Sequence, residues 1–353
     1  MIKHLLKLTI CAALLYNSNL AYAGNPDRQG EAGATELLIN PWAGSSGFHT
    51  MNTASISGLE AMRLNIAGLS RIEGGEFGFS NAQLFQGTGI SMNALGFATK
   101  MGESSAFGVT LAALSFGDIP VTLVGLPEGT GGTYSPNFFH IGLGYSHIYA
   151  NKISVGVLVR GVSESLQDIG AFGFAIDAGV QYVSGDRDEF KLGLSLRNNG
   201  SPMSFGGDGL AISSENTGVD VSGSEYTVTY NQRSESFEMP SVLNIGLSYD
   251  FYVNDNAYIR GIANFTSNAF SRDEVGVGAE LNFKNLFMLR GAYRTDLGSA
   301  EVGEENVYTG VAVGAGFKFS LKKGSASKLV LDYAYRNTNP FKGTHNLGIK
   351  YAF

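Results

Sequence analysis

Cysteine is almost missing from this sequence: Cys11 is the only one among 353 residues. Charge is scarce as well, at 16% of residues, where an average soluble domain carries roughly 25%. Long apolar runs are lacking: past the N-terminal stretch, none reaches the roughly 18 residues of a membrane helix. Each shortage excludes something. One cysteine leaves no disulfide framework and no paired-cysteine metal or redox motif. The five histidines, His4, His49, His140, His147 and His345, include no i, i+4 pair of the kind a helical zinc site uses, so neither a metal nor a cofactor is expected. A net charge of −7 argues against nucleic acid as a partner, which would call for a basic face. Gly87-Thr88-Gly89 and Gly129-Thr130-Gly131-Gly132 lack the strand-to-helix setting and acidic partner of a nucleotide site. Serine, histidine and aspartate are present, but no spacing singles out a catalytic triad, and no enzyme is expected.

What is abundant points elsewhere. The chain holds 48 glycines, 23 phenylalanines and 16 tyrosines. Glycine relieves crowding where strands bend, and aromatic residues form the interfacial girdles of outer-membrane barrels. Residues 1–23 read as a signal peptide. Lys3 and Lys7 give a positive start, Leu5 to Tyr16 is apolar, and Ala21-Tyr22-Ala23 is a small-x-small cleavage site. The apolar stretch before Cys11 is shorter than the roughly 7–15 residues needed for a lipoprotein signal, so the mature chain is expected to start at Gly24 without any cysteine.

From Gly75 onward the sequence alternates with period two. Leu243, Ile245, Leu247, Tyr249 and Phe251 fall on one face of an extended segment, with Asn244, Gly246, Ser248 and Asp250 on the other. About fourteen such segments follow one another: 75–86, 88–101, 104–118, 137–150, 152–166, 171–184, 189–199, 240–253, 256–267, 273–283, 286–295, 306–320, 327–337 and 344–353. Their length suits a membrane strand of about 9–11 residues better than the five or six of a soluble one. The polar faces are small rather than fully charged, as a crowded lumen requires. Long connections at 119–136, 200–239 and 296–305 all fall at outer positions, while Ala150-Asn151, residues 253–256 and Lys284-Asn285 fall at inner positions. A wrong strand count would scramble that parity. The last segment ends on outward Leu347, Ile349, Tyr351 and Phe353, like the signal read by barrel-assembly machinery. The expected fold is therefore all-β: an antiparallel transmembrane barrel of about 14 strands over 75–353, preceded at 24–74 by a plug or hatch, with Ser57 to Leu69 as a short helix and turn.

Inward positions carry Arg160, Arg197, Asp250, Glu280, Arg290, Arg294, Lys318, Asp332, Arg336 and Lys350. They suit either a polar conduit or a paired network that holds the plug through Glu36, Glu60, Arg63 or Arg71, since buried charges need partners. The outer connection 200–239 has the length of a functional loop without structure of its own. Pro202, Met203, Phe205 and Leu210 there, with Leu123 and Leu126 in 119–136, are the candidate partner-binding residues; capping of the barrel is the alternative.

Several motifs resemble the PorV/PorQ family of the Bacteroidota, within the FadL-like group of fourteen-stranded barrels. They are residues 33–41, residues 58–69, Ser115-Phe116-Gly117-Asp118-Ile119-Pro120 and Arg197-Asn198-Asn199-Gly200-Ser201-Pro202-Met203. The family's turn after a small-residue stretch is matched here by Asn65, Ala67, Gly68 and Leu69, with Ile66 in place of proline. The resemblance implies an outer-membrane component of type IX protein secretion. Such a protein would bind C-terminal signal domains of secreted cargo, escort them to surface processing and attachment, and work beside other components of that system and outer-membrane lipid. The second expectation is a FadL-like transporter of hydrophobic small molecules. A transporter should have an apolar pocket under the outer loops and an opening in the wall; a receptor should have a sealed lumen and outward apolar loops.

Overall fold

The computed structural model describes residues 24–216, 226–298, 306–320 and 327–353. The segment 1–23, expected to be a signal peptide, lies outside them, as does part of the 296–305 connection.

Fourteen strands close into one antiparallel barrel: β1 Gly75–Gln83, β2 Ser91–Met101, β3 Ser105–Ser115, β4 Asn137–Tyr149, β5 Ile153–Leu166, β6 Ile169–Ser184, β7 Phe190–Gly200, β8 Val242–Asn254, β9 Ala257–Asn268, β10 Glu274–Phe283, β11 Phe287–Asp296, β12 Tyr308–Ser320, β13 Lys328–Thr338 and β14 Thr344–Ala352. Each strand pairs with its neighbour in sequence, and β14 returns to β1 from Glu76↔Ala352 to Gln83↔His345. Closure lets every edge find a partner, which lipid demands because it offers no hydrogen bonds to a free strand edge. In β8, Asn244, Gly246 and Ser248 turn inward, while Leu243 and Leu247 stay 38% and 47% exposed on the outside. That outer face is the apolar band a bilayer covers.

The period-two reading located the strands to within a few residues. The 200–239 connection departs from expectation. It is not structureless: Met203–Ser204 pairs with Ser236–Phe237, and Ala211–Asn216 pairs with Tyr226–Asn231. Alternating polar and β-branched residues such as Thr227, Val228 and Thr229 favour a hairpin over a free loop.

Residues 34–72 are largely buried inside the barrel as a chain of short turns, among them Gly58–Glu60 (3-10), Ala61–Leu64 (α) and Ile66–Arg71 (3-10). Trp42, Leu59, Met62, Leu64, Ile66 and Leu69 share one apolar core with wall residues of β1, β2, β3 and β5, among them Ala82, Met92, Ala98, Ala106 and Leu158. Irregular backbone at membrane depth has to find polar partners in the wall. Here Asn346 Nδ2 donates to the Asn40 and Pro41 carbonyls at 3.1 and 2.9 Å, Gln181 Nε2 to Thr53 and Ile56 at 3.1 and 2.9 Å, and Ser195 Oγ to Leu64 at 2.5 Å.

Candidate functional site: the filled lumen and its outer cap

The turn at Asn65, Ala67, Gly68 and Leu69 is buried against the wall of β4 to β6. Asn65 caps its 3-10 helix by accepting from the Ala67 amide at 3.2 Å, and its Nδ2 donates to Thr53 and Val180 carbonyls at 3.0 and 3.2 Å. The turn approaches the wall so closely that wall side chains are excluded: a Cβ at Gly156 would stand 2.9 Å from the Ile66 carbonyl oxygen, and one at Gly179 2.1 Å from Asn65 Oδ1. Within the plug, a Cβ at Gly68 would stand 2.2 Å from the Ile56 carbonyl oxygen. Sequence reasoning missed this groove. Its signal was the run of inward glycines, read there only as relief of crowding.

Toward the outer end, charge is buried between plug and wall. Arg160 pairs with Asp177 at 2.6 Å, and Asp177 also accepts from the Asn198 amide at 2.7 Å. Arg63 donates to the carbonyls of Glu36 and Leu37 at 3.0 and 2.6 Å, and to that of Ile39. Arg197 in turn donates to the Arg63 carbonyl at 3.0 Å. Burial, reinforced by the neighbouring Glu164 carboxylate, pushes the Glu36 carboxyl up to about 8. The wall is interrupted beside this cluster: pairing of β6 with β7 slips between Ile176 and Ala178, and Asn198 turns left-handed at φ 58°. Such a bulge bends and twists a strand locally.

Above the charges sits an apolar cluster of Ala34, Leu37, Val162, Ala171, Ala175, Met203 and Met239, flanked by Phe205 and Phe237 at 5.6 Å between ring centroids. Of the two expectations for this loop, an outward surface or a cap on the barrel, Met203 and Phe205 take the place of the cap. Met203 is 1% exposed and Phe205 half-buried; both turn into the barrel mouth. The cause is geometric. Strand β6 runs past the end of β7, and its free upper edge takes up the loop through reciprocal hydrogen bonds of Gly170 and Gly206 at 2.9 and 3.0 Å. Inward Ala171, Gly173 and Ala175 leave room for the two methionines. Pro202 is exposed and Leu210 half-buried. Leu123 and Leu126 belong to a separate hairpin and stay 58% and 53% exposed, so the structure does not gather the six residues into one surface.

The opposite side of the lumen is wired by ion pairs. Asp250 takes Lys191 at 2.5 Å and Arg260 at 2.6 Å; Arg290 bridges Glu280 at 2.8 Å and Asp332 at 2.6 Å; Lys350 reaches the plug's Glu60 at 2.6 Å. A cavity of about 420 Å³ opens here at the inner end. A second, of about 240 Å³, lies at the outer end, and no residue lines both. Between them stand Phe48 and Met51, packed on Ile262 and Ala292. The intervening His49 and Thr50 are both left-handed, at φ 53° and 64°, a conformation that side chains other than glycine adopt at a cost. Burial, with Arg294 and Arg336 nearby, holds the His49 imidazole well below its ordinary range and therefore neutral. No group of metal-binding side chains occurs among the described residues.

No family description matches the sequence, and no curated protein sequence matches it. The likeness lies in three dimensions. The toluene transporter TodX of Pseudomonas putida superposes with a TM-score of 0.56 at 14% identity, over 89% of this chain and 97% of that one. The toluene transporter TbuX of Ralstonia pickettii gives 0.55 at 13%, over 89% and 97%. The CymD monoaromatic hydrocarbon channel gives 0.55 at 15%, over 90% and 98%. The fold is that of these outer-membrane hydrocarbon channels and transporters. The closed fourteen-stranded barrel with its apolar outer face places this chain in the cell outer membrane as a multi-pass protein. Identity this low establishes fold, and the chemistry of passage has to be argued from the site itself.

Proposed function

We propose that this FadL-like barrel passes hydrophobic small molecules across the outer membrane, with residues 24–74 as its closure. One observation carries the reading. The methionine cluster under the outer cap is apolar, lies beside the interrupted β6–β7 wall and is filled by flexible side chains. Methionine repacks readily around irregular apolar shapes, so a guest can take the place of Met203 or Met239 at modest cost. The toluene-transporting neighbours support the same class of cargo. The test is uptake of a monoaromatic hydrocarbon by cells whose outer membrane carries this barrel. Uptake should exceed that of cells with an empty membrane and fall when Met239→Trp fills the cluster. Equal uptake with and without the barrel overturns the reading.

A second reading, docking of secreted-cargo signal domains in type IX secretion by a PorV/PorQ-like protein, is favoured by a different observation. Leu123 and Leu126 flank the fully exposed Val124 at a hairpin tip, an apolar patch that suits a protein partner. Co-purification from the native membrane separates the two. Cargo recovered with the wild type and lost with Val124→Asp supports docking; hydrocarbon uptake without any cargo rejects it.

A further inference from the structure

The outer cavity is richer in cations than in carboxylates. Among the described residues, its wall carries Arg197, Arg294 and Arg336 but one acid, Glu274. Arg294 and Glu274 pair at 2.9 Å, which leaves the other two guanidiniums. Arg336 is 4% exposed, and no carboxylate bridges to it among the described residues. Its hydrogen bonds are two long ones, 3.5 Å each, to the Asn40 carbonyl and Asn346 Oδ1, while Tyr308 covers one face with its ring centroid 4.8 Å away. Arg197, 6% exposed, donates to the Arg63 carbonyl and to no carboxylate among the described residues.

The unsatisfied atoms of this wall share one character. Arg197 Nε, Arg336 Nε and Asn244 Nδ2 are all buried without a partner, and all are donors. The Asn244 amide is oriented by its Oδ1, which accepts from Thr266 Oγ1 at 2.9 Å. Buried donors left unpaired are costly, and a buried cation without a counter-charge more so. At the inner end four cations, Lys191, Arg260, Arg290 and Lys350, each have a carboxylate within 2.6 Å, although Arg71 and Lys318 there have no such bridge among the described residues. What would satisfy the outer wall is an acceptor carrying negative charge. The planar fork of arginine matches a carboxylate or phosphate, whose oxygens accept two N–H bonds side by side.

We propose that the outer cavity is an oxyanion site, in which a carboxylate or phosphate group sits between Arg336 and Arg197 and accepts from Asn244. The volume of about 240 Å³ holds such a group with a few waters, each taking roughly 30 Å³. The site is independent of hydrocarbon passage: it lies in the β7 to β13 half of the lumen and uses none of the methionine-cluster residues.

The experiment is calorimetric titration of the full barrel in a neutral detergent with sodium phosphate and, separately, sodium acetate, against sodium chloride at constant ionic strength. Saturable binding of phosphate or acetate by the wild type, weakened at least tenfold in both Arg336→Gln and Arg197→Gln, is the expected result. If Arg336→Gln does not fold, as judged by loss of heat-modifiable migration, Arg197→Gln decides. Absence of saturable binding by a wild type that native mass spectrometry finds free of bound anion or lipid, or binding unchanged in the folded variants, overturns the site. The same spectra of the gently extracted protein separate the sources. A retained phosphate-bearing lipid, lost in Arg197→Gln, assigns the oxyanion to a headgroup; binding of added anion to a lipid-free barrel assigns it to a soluble ligand.

Discussion

The two sides of the lumen hold the same plug by opposite means. On the side of β1 to β6, glycine and alanine line the wall and the plug's Leu59, Met62, Ile66 and Leu69 press directly against it. On the side of β8 to β14, the wall is charged, and the plug meets it through Lys350–Glu60, the Asn346 bonds to the Asn40 and Pro41 carbonyls, the small Phe48–Met51 contact and the close approach of Gly47 to Gly314, with a cavity on each side. Close apolar packing leaves no room for water and no alternative arrangement at similar energy. Ion pairs bordering water are weaker constraints, because solvent competes for each partner. The two sides therefore differ in kind: the apolar side packs plug side chains directly on glycine and alanine, while the ion-paired side borders two cavities.

The largest effects should come from breaking the apolar side. Gly68→Leu places a side chain where even a Cβ lies 2.2 Å from the Ile56 backbone, so the plug turn cannot form. The expected outcome is a folded, heat-modifiable barrel with markedly higher ion conductance in planar bilayers. Unchanged conductance would mean that the turn is not what closes the lumen. Leu59→Ala should be milder. Leu59 is fully buried, and truncating such a leucine costs about 2–5 kcal/mol, which thermal denaturation in detergent would register. On the other side, Asp332→Asn removes the carboxylate shared by Arg290 at 2.6 Å and Lys350 at 3.5 Å. It should cost less than Leu59→Ala because Arg290 keeps Glu280 at 2.8 Å and Lys350 keeps Glu60 at 2.6 Å. A larger loss than for Leu59→Ala would invert the comparison.

Much of this architecture was legible before any coordinates. Period-two alternation with the parity of long and short connections was enough to count the strands, because an error of one strand would have moved the long loops to the wrong side. The division of the lumen was not legible. Alternation tells that Gly156, Gly179 and Arg290 face inward, but not what stands opposite each, and an inward glycine reads the same whether it borders water or the backbone of Ile66. Which of the two expectations Met203 and Phe205 would follow was not legible for a related reason. Their burial depends on β6 outrunning β7, a mismatch of strand ends that arises from pairing rather than from any local pattern.

A smaller effect sharpens the comparison at the outer end of the plug. The Glu36 carboxyl, raised to about 8 by burial and by Glu164, is held protonated more tightly in the folded state than in an unfolded chain. Between its ordinary value and about 8, the native state therefore binds the extra proton, and stability falls as pH rises through that window. The loss is on the order of a few kcal/mol if the whole shift is felt. Glu36→Gln, which keeps the shape without the charge, should flatten the slope of melting temperature against pH between about 5 and 8. A slope that persists in the variant would assign it to other groups.

The smallest effect belongs to the region that neither side of the lumen supports. Leu123, Val124 and Leu126 sit at a hairpin tip held by the Ile119–Pro120 and Thr133–Tyr134 pairing. Because Val124 is fully exposed, replacing it with aspartate removes no buried area, and substitutions of that kind shift stability by about 0.5 kcal/mol or less. The melting temperature and conductance of Val124→Asp should match the wild type within error, while any cargo binding should drop. That separation makes the variant useful: a change in conductance would place the hairpin among the closing elements of the barrel, and the contrast that matters would then run between outer and inner ends rather than between the two walls.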